Sequence, residues 1–209
     1  MTHQKKTWFY LFSAPVIIAL FIVVVIPFFY GIYYSFTDWN GVSEAALVGF
    51  SNYSKLLKDQ EFWTSIWFTT KFAFVAIILI NAIGLGLALL VTNKFKGANL
   101  LRTIFFMPNL IGGLILGFIW QFIFINAFSA IGDVLNSTGL KTWLSTPETG
   151  FWAMVIVMCW QMSGYVMVIY ISYLQSVDDA LLEASDLDGA SAFQKFWHVK
   201  FPLIMPGFT

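Results

Sequence analysis

The sequence predicts an all-α protein that crosses a membrane several times, a polytopic bundle of apolar helices. Hydrophobic residues make up 59% of the 209 residues and charged residues only 11%, whereas charged residues form about a quarter of an average soluble domain. Four apolar runs reach the roughly twenty residues that a helix needs to cross a bilayer. Composition and run length together therefore predict a membrane helical bundle.

The first two spans are predicted at Trp8–Phe36 and Phe62–Val91, and each has aromatic residues at one end. Aromatic side chains favour the interface between lipid and water. A polar external segment lies between the two spans, with a short helix predicted at Tyr53–Leu57. The chain is therefore divided into an N-terminal span with its external segment, 1–61, and a core, 62–209.

The core continues the alternation of apolar runs and polar connections. Span three contains Pro108, and its Gly113 and Gly117 form a small-xxx-small pattern that permits close helix packing. The predicted segments are a basic loop at Asn93–Arg102, span three at Leu101–Ile125, an external loop at Asn126–Gly150, span four at Phe151–Leu174 and a fifth span that begins near Phe201.

The distribution of lysine and arginine predicts the side of the membrane on which each connection lies. Cytoplasmic connections carry an excess of these residues. Seven lie on the side of the N-terminus and four on the other side, so the N-terminus and the stretch 176–200 are predicted to be cytoplasmic. The seven are Lys5, Lys6, Lys94, Lys96, Arg102, Lys195 and Lys200, and the four are Lys55, Lys58, Lys71 and Lys141.

The stretch 176–206 contains five of the eleven acidic residues although it lies between apolar runs. Ser176 is predicted to cap a first short helix, and Gly189 is predicted to end it. Ser191 and Gln194 have the spacing of a capping box at the start of a second short helix. Each helix has about ten residues, too few to cross a bilayer. We therefore predict a helical hairpin on the membrane surface, the 176–200 hairpin.

The 176–200 hairpin resembles the cytoplasmic coupling loop of ABC importer permeases. The pattern of that loop is Glu-Ala-Ala, three residues, Gly, nine residues, Ile, one residue, Leu-Pro. Three positions depart from it, Ser185 for Ala, Val199 for Ile and Phe201 for Leu, and the spacing is kept. An ordinary amphipathic surface hairpin is the alternative interpretation. The matching residues, with the aspartate before the glycine, are Glu183, Ala184, Ser185, Asp188, Gly189, Val199, Phe201 and Pro202.

Three further stretches are similar to the sugar-permease group of this family, which has the maltose-type fold. They are Asp-Trp-Asn-Gly at 38–41, Val-Gly-Phe-Ser-Asn-Tyr at 48–53 and Arg-Thr-Ile-Phe-Phe-Met-Pro at 102–108. Members usually have six spans, so the chain is expected to be a fragment or a truncated form whose C-terminal end is missing. The resemblance implies a type I ABC importer permease bundle, truncated at the start of the fifth span.

The resemblance also implies a function and partners. The chain would be a permease subunit of an ATP-driven importer that moves a sugar or related polyol by alternating access. Its partners would be a second permease subunit, a cytoplasmic ATPase dimer that binds ATP and Mg²⁺, an extracytoplasmic solute-binding protein and membrane lipid. Glu183 would anchor the contact with the ATPase, Ala184 and Ser185 would allow close approach, and Gly189 would permit the turn. The implied location is the bacterial or archaeal inner membrane.

Several kinds of chemistry have no signature in the chain. It lacks the G-x-x-x-x-G-K-[ST] phosphate loop, so ATP hydrolysis is expected on a separate chain. His3 and His198 are far apart and no Cys/His/Asp set has metal-ligand spacing, so no metal or other cofactor is expected on this chain. No nucleophile elbow or other catalytic motif occurs, which predicts a transport subunit and not an enzyme. A formal net charge of zero without a basic block argues against nucleic acid as a partner.

Polar side chains inside the apolar spans are predicted to face the bundle interior, because a lipid-facing amide would lose its hydrogen bonds. Amides, hydroxyls and aromatic faces suit a sugar, so these residues are candidates for a substrate path. Each is alternatively a hydrogen-bonding contact between helices. The spans contain no acid or base deep inside, which argues against a proton-coupled carrier. The candidates are Asn81, Asn109, Gln121, Gln161, Ser163, Tyr165 and Tyr170.

Two other function classes remain open at this point. One is a facilitator or secondary carrier that works without an ATPase, and the other is a structural or assembly membrane protein. Recovery of a nucleotide-binding subunit with the chain, lost on mutation of Glu183 and Gly189, would distinguish the importer from both.

Overall fold

The computed structural model describes residues 3–42, 44–93 and 96–208, without the side chains of residues 3–7 and of Lys141. Within these ranges the chain is helical and has no β-strand, apart from an isolated bridge between Thr37 and Leu47. The all-α, polytopic class predicted from the sequence is confirmed. Among the described residues, four helical stretches are long and apolar enough to cross a membrane: Trp8–Ser35, Gln60–Thr92, Gly113–Val134 and Pro147–Gln175.

The chain forms two compact units, residues 1–68 and 69–209. The first unit begins with a long helical stretch that contains a short π-helical turn, and its polar connection leads to one short helix. Its elements are α1 (His3–Leu20), the π-helical turn (Phe21–Val25), α2 (Ile26–Ser35) and α3 (Ser51–Lys58). The short helix predicted at Tyr53–Leu57 is therefore present and begins two residues earlier.

The polar connection of the first unit is fixed to the end of α2. The Asn52 side-chain amide donates hydrogen bonds to the carbonyl oxygens of Ser35 at 3.1 Å and Thr37 at 2.7 Å. The backbone N–H of Val48 donates to the carbonyl oxygen of Phe36 at 2.8 Å. These bonds satisfy backbone groups that the end of a helix leaves without partners.

The second unit contains most of α4 and all the later helices. Its elements are α4 (Gln60–Thr92, which begins in the first unit), α5 (Ala98–Phe106), a 3₁₀ turn (Met107–Leu110), α6 (Gly113–Phe122), a π-helical turn (Ile123–Ala127), α7 (Phe128–Val134), α8 (Thr138–Lys141), α9 (Pro147–Gln175), α10 (Asp179–Leu187), α11 (Ala192–Lys195), a π-helical turn (Phe196–Lys200), α12 (Phe201–Ile204) and a 3₁₀ turn (Met205–Phe208).

The core of the second unit lies between α4 and α9 and consists of two buried clusters. Both clusters combine side chains from the two helices, so burial of apolar surface runs along most of their length. The first contains Ala76, Ile80, Phe151, Val155 and Cys159, and the second contains Ala88, Val91, Met167, Tyr170 and Ile171.

Two glycines bring the backbones of the second unit into close contact. A Cβ atom added to Gly164 of α9 would lie 1.8 Å from the carbonyl oxygen of Phe105 in α5. A Cβ atom added to Gly84 of α4 would lie 2.8 Å from Cγ1 of Val166 in α9. Small residues at such contacts let membrane helices approach closely, which increases their van der Waals packing.

Span three, predicted at Leu101–Ile125 with Pro108 inside it, has other bounds in the structure, and that prediction is wrong. The chain instead forms α5, a 3₁₀ turn that contains Pro108, and a new helix from Gly113. Ile111 and Gly112 have extended backbone conformations at the break. Proline removes a backbone donor and glycine adds flexibility, so this sequence favours an interrupted helix.

Two neighbouring boundaries also need correction. Arg102, predicted in a basic loop, lies in α5, where its guanidinium donates to the carbonyl oxygen of Val91 at 3.0 Å. A cation at this position stabilises the C-terminal end of α4. The predicted external loop at Asn126–Gly150 is helical as far as Val134. The Asn126 amide donates to the carbonyl oxygen of Phe122, which satisfies a polar side chain along the helix.

We predict that Gly164→Ala lowers the free energy of unfolding of the purified protein in detergent by about 1–3 kcal/mol, the usual effect of overpacking. The change is measured as a lower melting temperature. The new methyl group would collide with the Phe105 carbonyl, which belongs to the backbone and cannot rotate away. Gly86→Ala is the matched control, because a Cβ atom there meets nothing within 4 Å. Equal melting temperatures for the two variants would contradict the close contact.

Candidate functional site

The first arm of the 176–200 hairpin is α10, which begins differently from the prediction. Asp178 caps it, because its Oδ1 atom accepts a hydrogen bond from the backbone N–H of Ala180 at 2.9 Å. Ser176, the predicted cap, instead donates its hydroxyl to the carbonyl oxygen of Tyr173 at 2.8 Å. The cap prediction for Ser176 is therefore wrong. The aspartate two residues later provides a charged acceptor, which suits the positive end of the helix dipole.

The turn of the hairpin is built around Gly189, as the sequence predicts. Gly189 has a φ angle of +74°, in the left-handed region that other residues rarely adopt. The N–H of Ala190 donates to the carbonyl oxygen of Ser185 at 3.0 Å, and the N–H of Gly189 donates to that of Asp186 at 3.1 Å. These bonds close the end of α10 in the manner of a glycine C-cap.

The second arm begins with the predicted capping box. The Ser191 hydroxyl accepts from the N–H of Gln194 at 3.3 Å, and the Gln194 side chain accepts from the N–H of Ser191 at 2.8 Å. The arm does not end before the fifth span as a separate short helix would, so that part of the prediction is wrong. The helix passes through the π-helical turn at 196–200 directly into α12, and Pro202 is the second residue of α12.

An ion pair joins the two arms. The Lys195 ammonium lies 2.5 Å from the Asp186 carboxylate. The pair is partly exposed, and such pairs contribute about 0–1 kcal/mol. The shape of the hairpin therefore depends mainly on its caps and its glycine turn.

One face of α10 is exposed along the whole helix, and we name it the α10 outer face. Its residues are spaced at i, i+3, i+4 and i+7, which places them on one side of a helix. Leu187 is 90% exposed. The spacing was visible in the sequence, yet Leu187 was not among the predicted site residues. The α10 outer face consists of Ala180, Glu183, Ala184 and Leu187.

The remaining predicted hairpin residues lie on different sides. Ser185 is only 9% exposed and donates its hydroxyl to the carbonyl oxygen of Leu182 at 2.7 Å. Asp188 is exposed at the end of α10, next to the turn. Ser185 therefore lies on the buried side of α10, while Glu183 and Ala184 face outward.

Among the predicted polar residues of the spans, the structure brings Asn81 and Tyr170 together. The Tyr170 hydroxyl donates a hydrogen bond to Oδ1 of Asn81, which links α9 to α4. The Asn81 amide group donates to the carbonyl oxygen of Ile77 at 2.8 Å. Tyr170 has no exposed surface, so its hydroxyl has this partner inside the core.

The other polar candidates do not converge on one point. The side-chain amide nitrogen of Asn109 lies 3.8 Å from the sulfur of Met162. Gln161 is half-buried. Gln121 and Tyr165 are exposed. The described contacts therefore group Asn81 with Tyr170 and Asn109 with Met162, and they leave the other candidates separate.

Ser163 faces a cavity of about 730 Å³ between α4, α5 and α9. Its hydroxyl is buried without a hydrogen-bond partner among the described residues. The wall is almost wholly apolar, which does not match the many hydroxyl groups of a sugar. The cavity is lined by Leu79, Ile83, Leu87, Ile104, Phe105, Met107, Pro108, Ile111, Trp152, Val155, Ile156, Cys159, Trp160, Ser163 and Gly164.

Comparison with known proteins identifies one family. The model of the family described as binding-protein-dependent transport system inner membrane component matches residues 80–209, more than half of the chain.

Two relatives match almost the whole chain. It is 56% identical over 206 residues to the probable starch degradation products transport system permease protein AmyD of Thermoanaerobacterium thermosulfurigenes, an alignment that covers 99% of this chain and 70% of the relative. It is 31% identical over 214 residues to the multiple sugar-binding transport system permease protein MsmF of Streptococcus mutans, which covers 100% of this chain and 74% of the relative.

A solved structure has a similar fold. A chain in the crystal structure of a bacterial alginate ABC transporter, in complex with a periplasmic protein that holds an alginate pentasaccharide, matches with a TM-score of 0.84. The match covers 98% of this chain and 69% of that one, at 19% identity. At this identity the likeness concerns the fold alone.

We predict that Gly189→Val opens the turn of the hairpin, because a β-branched residue is strained at φ +74°. Hydrogen exchange at the amides of residues 188–190 should become faster. Gly189→Asn is the matched control, since asparagine tolerates left-handed conformations better than other residues with a side chain. Equal exchange in both variants would contradict a conformational role for this glycine.

Proposed function

The chain belongs to the family of binding-protein-dependent transport system inner membrane components, and we propose that it imports a sugar or related polyol. It is the permease subunit of an ABC importer in the inner membrane, not an enzyme. The sugar assignment is supported by the names of the relatives, which refer to starch degradation products and to multiple sugars. The absence of acids and bases deep in the spans suits an uncharged substrate.

The observation that carries the coupling mechanism is the α10 outer face at the end of a membrane-spanning helix. Three residues, 176–178, separate α9 from α10. The ATPase dimer is proposed to bind this face in the cytoplasm, with ATP and Mg²⁺ held on the ATPase. Closure of the ATPase dimer on ATP would then move the hairpin, and with it α9 and α12.

Each hairpin residue has a proposed part in this contact. Glu183 offers a carboxylate to a cation or backbone N–H of the ATPase, Ala184 allows close approach, and Leu187 fills an apolar hollow. Ser185 holds α10 against the rest of the permease from its buried side, and Gly189 sets the angle between the arms. Asp188 extends the negative charge to the turn, and Pro202 starts the span that follows the hairpin.

The proposed assembly contains further chains. A solute-binding protein follows from the family itself. A second permease subunit and two ATPase copies are proposed to complete the importer. The orientation, with the N-terminus and the 176–200 hairpin in the cytoplasm, is supported by the distribution of seven lysine and arginine residues against four.

The substrate path is proposed to use the polar side chains that have exposed or half-buried groups. Gln121, Gln161 and Tyr165 can present an amide or a hydroxyl to a sugar. Among the described residues, the partner of the Asn109 amide is a weak sulfur acceptor. Asn81 and Tyr170 already bind each other. Ser163 faces an apolar cavity that suits a sugar poorly.

The coupling proposal is tested by purifying the full-length permease with its ATPase from detergent. We expect Leu187→Asp to reduce recovery of the ATPase and substrate-stimulated ATP hydrolysis at least tenfold, because a carboxylate would be buried in an apolar contact. Leu135→Asp is the matched control, since Leu135 is 64% exposed outside the hairpin. Uptake of sugar by the reconstituted permease without an ATPase would instead identify a facilitator. An assembly without ATPase or transport would identify a structural protein.

A further inference from the structure

A row of aromatic rings runs from the hairpin into the core of the second unit. Trp197 and Phe201 have ring centroids 4.8 Å apart, Phe201 and Phe208 are 5.6 Å apart, and Phe208 and Tyr170 are 4.9 Å apart. All of these separations are typical of aromatic rings in contact. We name these four residues the aromatic ladder.

Residues next to the inner rings of the ladder are packed closely. Ile204, between the second and third rings of the ladder in sequence, has no exposed surface. A Cβ atom added to Gly207 would lie 2.7 Å from the ring of Tyr173 in α9. We therefore expect a displacement of residues 201–208 to move Tyr170, Tyr173 or both.

The inner end of the ladder carries a directional bond. The Tyr170 hydroxyl donates a hydrogen bond to Oδ1 of Asn81 in α4, and the Tyr170 side chain is fully buried. Apolar contacts between α4 and α9 tolerate small shifts, whereas a hydrogen bond weakens steeply with distance and angle. Movement of Tyr170 would therefore make or break its hydrogen bond to Asn81 of α4.

We propose that Tyr170 is a positioning residue that transmits movement of the 176–200 hairpin to α4 through the aromatic ladder and the bond to Asn81. This inference rests on the proposed coupling function. The bond is suited to this part because measured hydrogen bonds between membrane helices are weak enough to break and form again during a cycle. Transport then requires that α4 follows α9 when the ATPase moves the hairpin.

The direct test is Tyr170→Phe in the full-length permease, assembled with its ATPase and reconstituted in liposomes. The variant keeps the ring and the ladder and removes only the hydroxyl. We expect the number of ATP molecules hydrolysed per substrate transported to rise between about threefold and about twentyfold, the range that measured interhelical hydrogen bonds imply. The matched control is Tyr10→Phe, which removes the hydroxyl of a tyrosine that is 66% exposed.

A second variant tests the bond from its other side. Asn81→Leu and the double variant Asn81→Leu with Tyr170→Phe should give the same ratio as Tyr170→Phe alone, because all three lack one bond. Additive effects would overturn the inference, as would a wild-type ratio in both single variants. If Tyr170→Phe does not assemble with the ATPase, the number of ATP molecules hydrolysed per substrate transported is measured for Asn81→Leu alone. A wild-type value in that variant would overturn the inference.

The outer part of the ladder is tested by Phe208→Leu, which removes one ring and keeps an apolar side chain. We expect it to raise the ratio in the wild-type background and to have no further effect on Tyr170→Phe. A further rise in that background would overturn transmission through Tyr170. A wild-type permease that does not stimulate its ATPase would contradict the proposed function itself, whereas normal coupling in every variant would contradict only this inference.

Discussion

The close contact of α9 with α4 and α5 is the constraint on which the second unit depends. Lipid is as apolar as the helix surfaces, so hydrophobic burial provides little force between membrane helices, and close packing must hold them together. Gly164 and Gly84 permit that packing, because a side chain at either position would meet a neighbouring helix. The contact fixes the middle of α9. It thereby fixes the position from which the 176–200 hairpin extends, only three residues beyond the end of the helix.

This arrangement explains how a surface hairpin could act on the interior of a membrane protein. Its first arm follows α9 after a short connection, and its second arm continues as a helix into residues 201–208. Neither side contains a long flexible linker that would absorb movement. The α10 outer face, which is exposed, is the surface that we propose for contact with the ATPase, whereas Ser185 of the same helix is buried.

Much of this structure could be predicted from local sequence. Spans one, two and four follow from apolar runs, the capping box from Ser191 and Gln194, and the turn from Gly189, because each depends on neighbouring residues. Contacts between distant residues could not be predicted. Asn81 and Tyr170 are 89 positions apart, and nothing local distinguishes them from Gln121 or Tyr165, which are exposed. The burial of Ser185 likewise depends on packing that sequence periodicity does not record.

Coupling through the 176–200 hairpin is measured most directly by a site-specific cross-link from the α10 outer face in the assembled importer. Cys159, the single cysteine and a buried one, would be replaced by alanine, and Leu187→Cys would be compared with Leu135→Cys. We expect Leu187→Cys to cross-link to the ATPase, and reduction of the cross-link to restore substrate-stimulated ATP hydrolysis. A cross-link from Leu135→Cys alone, or from neither variant while the importer is active, would contradict coupling through this hairpin.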